Sequence, residues 1–319
     1  MNTHKYSYVI ESKRGKAGWI LQIWHFVVHL RLHYQLFILS GAFLLGALLS
    51  ENFHAGWFAV QFLNVHILLF GGATAYNSFW DRDEGPVGGL VNPPSMTQWM
   101  WFASLLIQMI GLLLALPMGT FFVGIYSLSM LFFWLYSSPW TRWKGSPLKS
   151  LVAIGISTGC NAVLMGYYAT GFGPLYSSVW IASAGVTLML LSLYPVSQLY
   201  QQDEDYKRGD RTFAISYGRY AVIHFFEFAF PVGLLMVAVA IGLHHVMLGI
   251  AFGITGVLVG LLVNRKLKGM MEERSDDYQS VMQIKYRTSL AFVSFLTIAL
   301  LAKHLDFFNS LPFVEWFLQ

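Results

Sequence analysis

The chain has 319 residues, 56% of them hydrophobic and only 11% charged, with a formal net charge of +4. Soluble domains carry about 25% charged residues, so a water-soluble globular fold is excluded and the main solvent is lipid. The mild basic excess fits loops facing the cytoplasm and gives no ground for a nucleic-acid partner.

Residues 1–33 are expected to form a polar N-terminal segment. It is too long before the first apolar run for a cleavable signal peptide. Over 17–33, Trp, Ile and Phe alternate with His and Arg at helical spacing, which predicts an amphipathic helix lying in the interface. Spanning helices need about 20 residues free of charge. Such runs cover 32–50 and 52–80. The run 85–141 holds two helices divided at Leu116-Pro117-Met118-Gly119, and 150–202 holds two divided at Gly171-Phe172-Gly173-Pro174. The run 220–264 holds two, divided near Gly242-Leu243-His244-His245, and 288–302 makes a last, short one. Buried amides in hydrocarbon must be paired within the segment, so these runs are helices. The expectation is an all-α polytopic membrane protein of nine transmembrane helices. Its membrane domain spans 34–303, with an aromatic tail over 304–319 on the outer face. The one cysteine, Cys160, excludes an intrachain disulfide.

With the N-terminus inside, every Lys and Arg except Lys303 falls in an inside segment. That asymmetry is the positive-inside pattern and places the N-terminus and the charged loops on the cytoplasmic side.

Acids concentrate at two helix ends on that same side. The first cluster reads Asn77-Ser78-Phe79-Trp80-Asp81-Arg82-Asp83-Glu84-Gly85; Asn77, Asp81 and Glu84 fall at i, i+4 and i+7 and share one helical face. The second runs from Gln198 to Thr212, and Gln198, Gln201 and Asp205 fall at i, i+3 and i+7. Each half of the chain thus presents an amide-and-carboxylate stripe at one membrane depth, a loose internal repeat. Facing oxygen donors suit Mg2+, which is held by a few carboxylates together with substrate phosphates. Asn77, Asp81, Asp83, Glu84, Gln201 and Asp205 are the expected ligands. Arg142 and Lys144 after the fourth helix, and Lys207 or Arg208 after the sixth, would neutralise a diphosphate. Trp, Tyr and Phe at the helix ends suit shielding of a carbocation. Charges at helix ends usually mark topology alone, but two stripes at matching depth argue for a site. His224 and Glu227 are intramembrane polar groups equally suited to snorkelling. Cys160 and Asn161 read as helix packing.

These residues resemble the UbiA superfamily of intramembrane prenyltransferases. The resemblance rests on nine helices, on Asn77-x3-Asp81, on Gln201-x3-Asp205 with Gly209 and Thr212, and on Tyr136…Pro139…Arg142-Trp143-Lys144. It covers about residues 30–303. It implies a helical bundle around a central cavity open to lipid, an allylic prenyl diphosphate donor, Mg2+ and a lipophilic, aromatic acceptor within the bilayer. It implies catalytic roles for Asn77, Asp81, Glu84 and Asp205. The chain departs from the family pattern at Gly85, where a third Asp is usual, and at Gln198 and Gln201, where acids are common. It also departs in the base-free stretch Gly85-Pro86-Val87-Gly88-Gly89-Leu90. Two other functions remain open: terpene cyclisation without an acceptor, and lipid binding or transport without catalysis.

Overall fold

The computed structural model describes residues 18–83, 85–272 and 278–304. Helix α1, Trp19–His29, ends where Arg31 adopts a left-handed conformation (φ 49°), and α2 (residues 32–49) starts afresh from that break. Trp19, Ile20 and Trp24 of α1 are exposed while Phe26 and His29 are buried, so its apolar outer face is left for lipid. The remaining helices are α3 (Ala55–Asp81), α4 (Gln98–Ala115), α5 (Gly119–Ser137), α6 (Pro147–Ala169), α7 (Ser177–Arg208), α8 (Phe213–Gly242), α9 (Val246–Glu272) and α10 (Tyr278–His304). The described residues contain no strand, only an isolated bridge between Val87 and Leu90. The chain is a multi-pass integral membrane protein with an all-α bundle.

Eight helical runs among the described residues are long and apolar enough to cross a membrane, against the nine expected. The difference lies in Gln98–Ser137, a single run of 40 residues that contains both α4 and α5. A straight helix would set Gly111 and Tyr126 about 22 Å apart at 1.5 Å per residue. Instead, a Cβ placed on Gly111 would collide with the Tyr126 hydroxyl. The run therefore folds back on itself, and Gly119, with φ 85°, is where it turns.

Small residues let the helices approach closely. A Cβ on Gly46 of α2 would strike the Val163 carbonyl of α6, and one on Gly166 of α6 would strike the Phe43 backbone of α2. Gly185 and Gly233 make the same reciprocal contact between α7 and α8. Polar groups inside are paired with one another. Buried Asn64 donates to Gln61 Oε1 and to the Gly111 carbonyl, each at 2.9 Å, and accepts from Tyr126 at 3.2 Å.

One expectation from the sequence needs correction. The helices at this end extend beyond their uncharged runs, since α9 continues to Glu272 and α10 begins at Tyr278. The last helix is accordingly longer than 288–302. The N-terminal residues 1–17 and the tail 305–319 lie outside the described residues, as does Glu84.

Candidate functional site

The first cluster sits where α3 stops. Asn77 Nδ2 donates to Asp81 Oδ2 at 2.8 Å across one helical turn, and the Ser137 hydroxyl fixes the Asn77 carbonyl at 2.9 Å. Arg82 then adopts φ 50°, which ends the helix. Of the shared face expected of Asn77, Asp81 and Glu84, Asn77 and Asp81 stand one turn apart and bond each other; Glu84 lies outside the described residues. Asp83 is turned back toward the bundle, where Arg208 Nη2 reaches its Oδ1 at 2.9 Å.

The second cluster sits where α7 stops. Its last turns tighten over Pro195–Gln201, since Pro195 lacks an amide proton, and then run as Gln202–Arg208. Gly209 closes the helix with φ 76°, the left-handed stop that glycine adopts without strain. Gln198 Oε1 accepts from the Ala214 amide at 3.2 Å, so it caps the start of α8. Asp205 is 8% exposed.

The loop after α5 joins the two ends. Arg142 stands at φ 41° and forms a two-pronged pair with Asp210, Nε to Oδ1 at 2.6 Å and Nη2 to Oδ2 at 2.7 Å. Planar pairs of this kind are stronger than single contacts and fix orientation. The Arg211 amide donates to the Gly145 carbonyl at 3.0 Å, completing the clasp. Lys144, 8% exposed, is held over Asp81, 9% exposed, and donates to its Oδ1. Arg142 Nη1 is 3.9 Å from the same oxygen. Arg208 also reaches Glu204 at 3.2 Å. The Asp83 carboxyl is pushed above the usual carboxylate range, first by burial and then by the neighbouring Asp81. Arg142 is held above its ordinary value by Asp210, against the opposing effect of burial.

Together these side chains form a polar cup of about 80 Å3, lined among others by Asn77, Asp81, Asp205, Lys144, Arg208 and Gln201. The expected site residues Asn77, Asp81, Asp83, Gln201, Asp205, Lys144 and Arg208 all line it, and Arg142 borders it through Asp210. Lys207 is exposed and outside the cup. Tyr136, which opens the motif ending in Arg142-Trp143-Lys144, pairs its hydroxyl with that of Tyr194 at 2.9 Å; Tyr194 and Asp210 also line the cup but carry no motif spacing that would single them out.

The cup opens into a cavity of about 240 Å3 with which it shares Asn77, Tyr136, Tyr194, Ser197 and Gln201. That cavity shares Ile38, Leu39, Thr158, Leu190, Leu193 and Ser289 with a third, of about 90 Å3, whose walls are almost wholly apolar. The result is one passage that grades from charged to greasy. A ligand with an anionic head and a hydrocarbon tail matches that gradient.

Asp83 Oδ2 is buried without a hydrogen-bond partner, and Asp81 and Asp205 bring further carboxylate oxygens to the same cup. Among the described residues no three acids, histidines or cysteines converge closely enough to hold a metal by themselves. The donors present therefore fit a hard ion such as Mg2+ that keeps water or phosphate oxygens in part of its shell. Asn77, Asp81, Asp83, Gln201 and Asp205 are the residues that would hold it.

The sequence model of the UbiA prenyltransferase family matches residues 37–296. Among solved structures, a UbiA homologue from Archaeoglobus fulgidus bound to GPP and Mg2+ is similar, with TM-score 0.66 and 13% identity over 86% of this chain and 99% of that one. The same homologue bound to DMAPP and Mg2+ gives TM-score 0.64, again at 13% identity over 86% and 99%. A digeranylgeranylglyceryl phosphate synthase gives TM-score 0.58 and 18% identity over 88% of this chain and 99% of that one. No curated protein sequence matches. At such identities the structural likeness speaks for the fold; the family follows from the match along most of the sequence. With two carboxylate-bearing helix ends facing each other across one cup, and a family match that spans both, the chain belongs to the UbiA prenyltransferase family.

Proposed function

We propose that this protein transfers a prenyl group from an allylic prenyl diphosphate to a lipophilic, aromatic acceptor inside the membrane, in an Mg2+-dependent reaction at its cytoplasmic face. The observation that carries the reading is the passage itself, a charged cup continuous with an apolar channel. GPP and DMAPP bound with Mg2+ in a homologue of the same fold support the donor class.

The diphosphate lies in the cup and the prenyl tail in the channel. Mg2+, when bound, supplies positive charge to the diphosphate oxygens. Lys144 and Arg208 add charge where negative charge develops as the bond from prenyl C1 to the diphosphate oxygen breaks. Diphosphate leaves with the bonding electron pair. The prenyl cation is then captured by an acceptor carbon or oxygen, and the acceptor loses a proton. Tyr136, Tyr194, Phe70 and Phe133 line the cavity next to the cup and present ring faces or hydroxyls rather than bulk water to that cation. Excluding water prevents hydrolysis of the intermediate. Asn77 holds Asp81 in place, and Arg142, locked by Asp210, positions the loop that carries Lys144.

The test is diphosphate release by purified protein in detergent, across a panel of prenyl diphosphates, with and without Mg2+ and with acceptor-rich lipid extract. Mg2+-dependent release together with a prenylated product supports the reading. A cyclic hydrocarbon formed without acceptor assigns cyclisation. Binding of prenyl diphosphate without any release assigns a non-catalytic role.

A further inference from the structure

The apolar end of the passage is blind. Its walls come from α2, α6, α7, α8, α9 and α10, and each residue that lines it is buried or half-buried. At the end away from the cup, Leu45 and Val237 are 1% exposed, Phe252 2% and Leu296 3%. Phe230 of α8, Phe252 of α9 and Phe292 of α10 stand ring to ring there. The Phe252 and Phe292 centres are 5.3 Å apart, and the Phe230 and Phe292 centres 6.2 Å. The seam between α2 and α10 is shut at the same depth, since a Cβ on Gly41 would stand 3.7 Å from Val293 Cγ2. A hydrocarbon tail entering from the cup therefore meets packed rings rather than lipid.

Helix geometry gives the depth. On α7, Ser197 borders the cup and Val186 lines only the apolar end. The stretch between them is about 16 Å long at 1.5 Å per residue. Tyr34–Leu45 of α2 and Lys285–Leu296 of α10 run from the middle cavity to the same end and are equally long. An extended chain advances about 1.2 Å per bond. Each five-carbon prenyl unit adds four bonds along the chain, so about 16 Å holds about three units. A fourth unit has to push the three rings aside or lift the diphosphate out of the cup. Packed interiors resist added volume, and a lifted diphosphate loses Lys144 and Arg208.

We propose that Phe230, Phe252 and Phe292 set the length of the donor, so that prenyl diphosphates of up to about fifteen carbons seat their diphosphate in the cup and a twenty-carbon one does not. The proposal rests on the prenyl-transfer reading and narrows its donor to the short-chain class. Length is then read at the far end of the bundle, by rings that touch neither the diphosphate nor the acceptor.

The experiment measures binding of ten-, fifteen- and twenty-carbon prenyl diphosphates with Mg2+ to full-length protein in detergent, with diphosphate release recorded in parallel. The fifteen-carbon donor is expected to bind more tightly than the ten-carbon one, because it buries one more apolar unit. The twenty-carbon donor is expected to bind roughly tenfold or more weakly than the fifteen-carbon one. Phe292→Leu and Phe252→Leu keep the channel apolar and remove a ring. Each is expected to bring the twenty-carbon donor to within roughly threefold of the fifteen-carbon one. Val186→Phe runs the other way: it raises the floor and is expected to weaken the fifteen-carbon donor more than the ten-carbon one. A twenty-carbon donor that binds the unaltered protein as well as the fifteen-carbon one would overturn the proposal. So would a length limit that none of the three variants moves. If the length pattern holds and no donor releases diphosphate, the transfer reading falls and the blind channel stands. Equal binding and release across all lengths keeps the transfer reading and removes the floor.

Discussion

The two ends of the bundle use the same residue type in opposite ways. At the end away from the cup, Lys303 donates to the Leu48 and Ser50 carbonyls at 2.9 and 2.6 Å, which lack helical partners where α2 ends. The loops there are tied by neutral bonds, such as Asn52 to the Phe172 carbonyl and Tyr167 to the Pro174 carbonyl. At the end that holds the cup, Lys144 bonds directly to Asp81 beside a cavity, and the loops are tied by ion pairs. Lys303 closes a helix end; Lys144 lines a space between helix ends. The same residue type thus differs by what it faces: carbonyls in one place, a carboxylate beside a cavity in the other.

That contrast can be broken by mutation, and the largest effect is expected at Asp81. Asp81→Asn preserves shape and removes the charge. Diphosphate release is expected to fall roughly 1,000-fold with the melting temperature little changed, since charge in the cup is needed at the moment of bond cleavage. A variant of near-normal rate would remove Asp81 from the site. Lys144→Met should cost roughly 100-fold in kcat, read from single-turnover release at saturating prenyl diphosphate. Asp210→Asn unlocks Arg142 and lets the loop drift, and a misplacement of this sort costs roughly 10- to 100-fold. Here Asp210→Glu should recover part of the loss, whereas a purely structural role would move stability instead of kcat. Lys303→Met defines the other side of the comparison. It should cost about 1–2 kcal/mol of stability, the worth of its hydrogen bonds, and leave the turnover of folded protein unchanged. A fall in turnover there would show that the two ends are coupled.

The bundle was legible because lipid imposes a rule readable from one sequence: long uncharged runs must be helices. The divisions at Leu116–Gly119 and Gly242–His245 were legible because Pro and Gly mark them. The site was legible as far as helical spacing holds. Asn77 and Asp81 sit one turn apart and bond each other as spacing requires. Nothing in the sequence around Arg82 announces the left-handed turn that ends α3 there. Gln198 shares the stripe of Gln201 and Asp205 and lines the cup, and it also caps α8, a role fixed by where Ala214 arrives in space. Lys207 and Arg208 are adjacent in sequence, and only the rotation of the last turn of α7 decides which enters the cup. Arg31 and Lys285 were counted among the topology-setting bases. That they share a cavity depends on helices at opposite ends of the chain meeting.

The clasp between Arg142 and Asp210 has a consequence for biogenesis. Membrane helices enter the bilayer as they emerge from synthesis. The cup draws on residues 77–83, on the loop at 142–144 and on 205–212, so no nascent chain ending before Asp210 can orient Lys144 over Asp81. A chain that stops short of Asp210 therefore holds the first carboxylates of the cup without the two-pronged contact that sets the loop carrying Lys144.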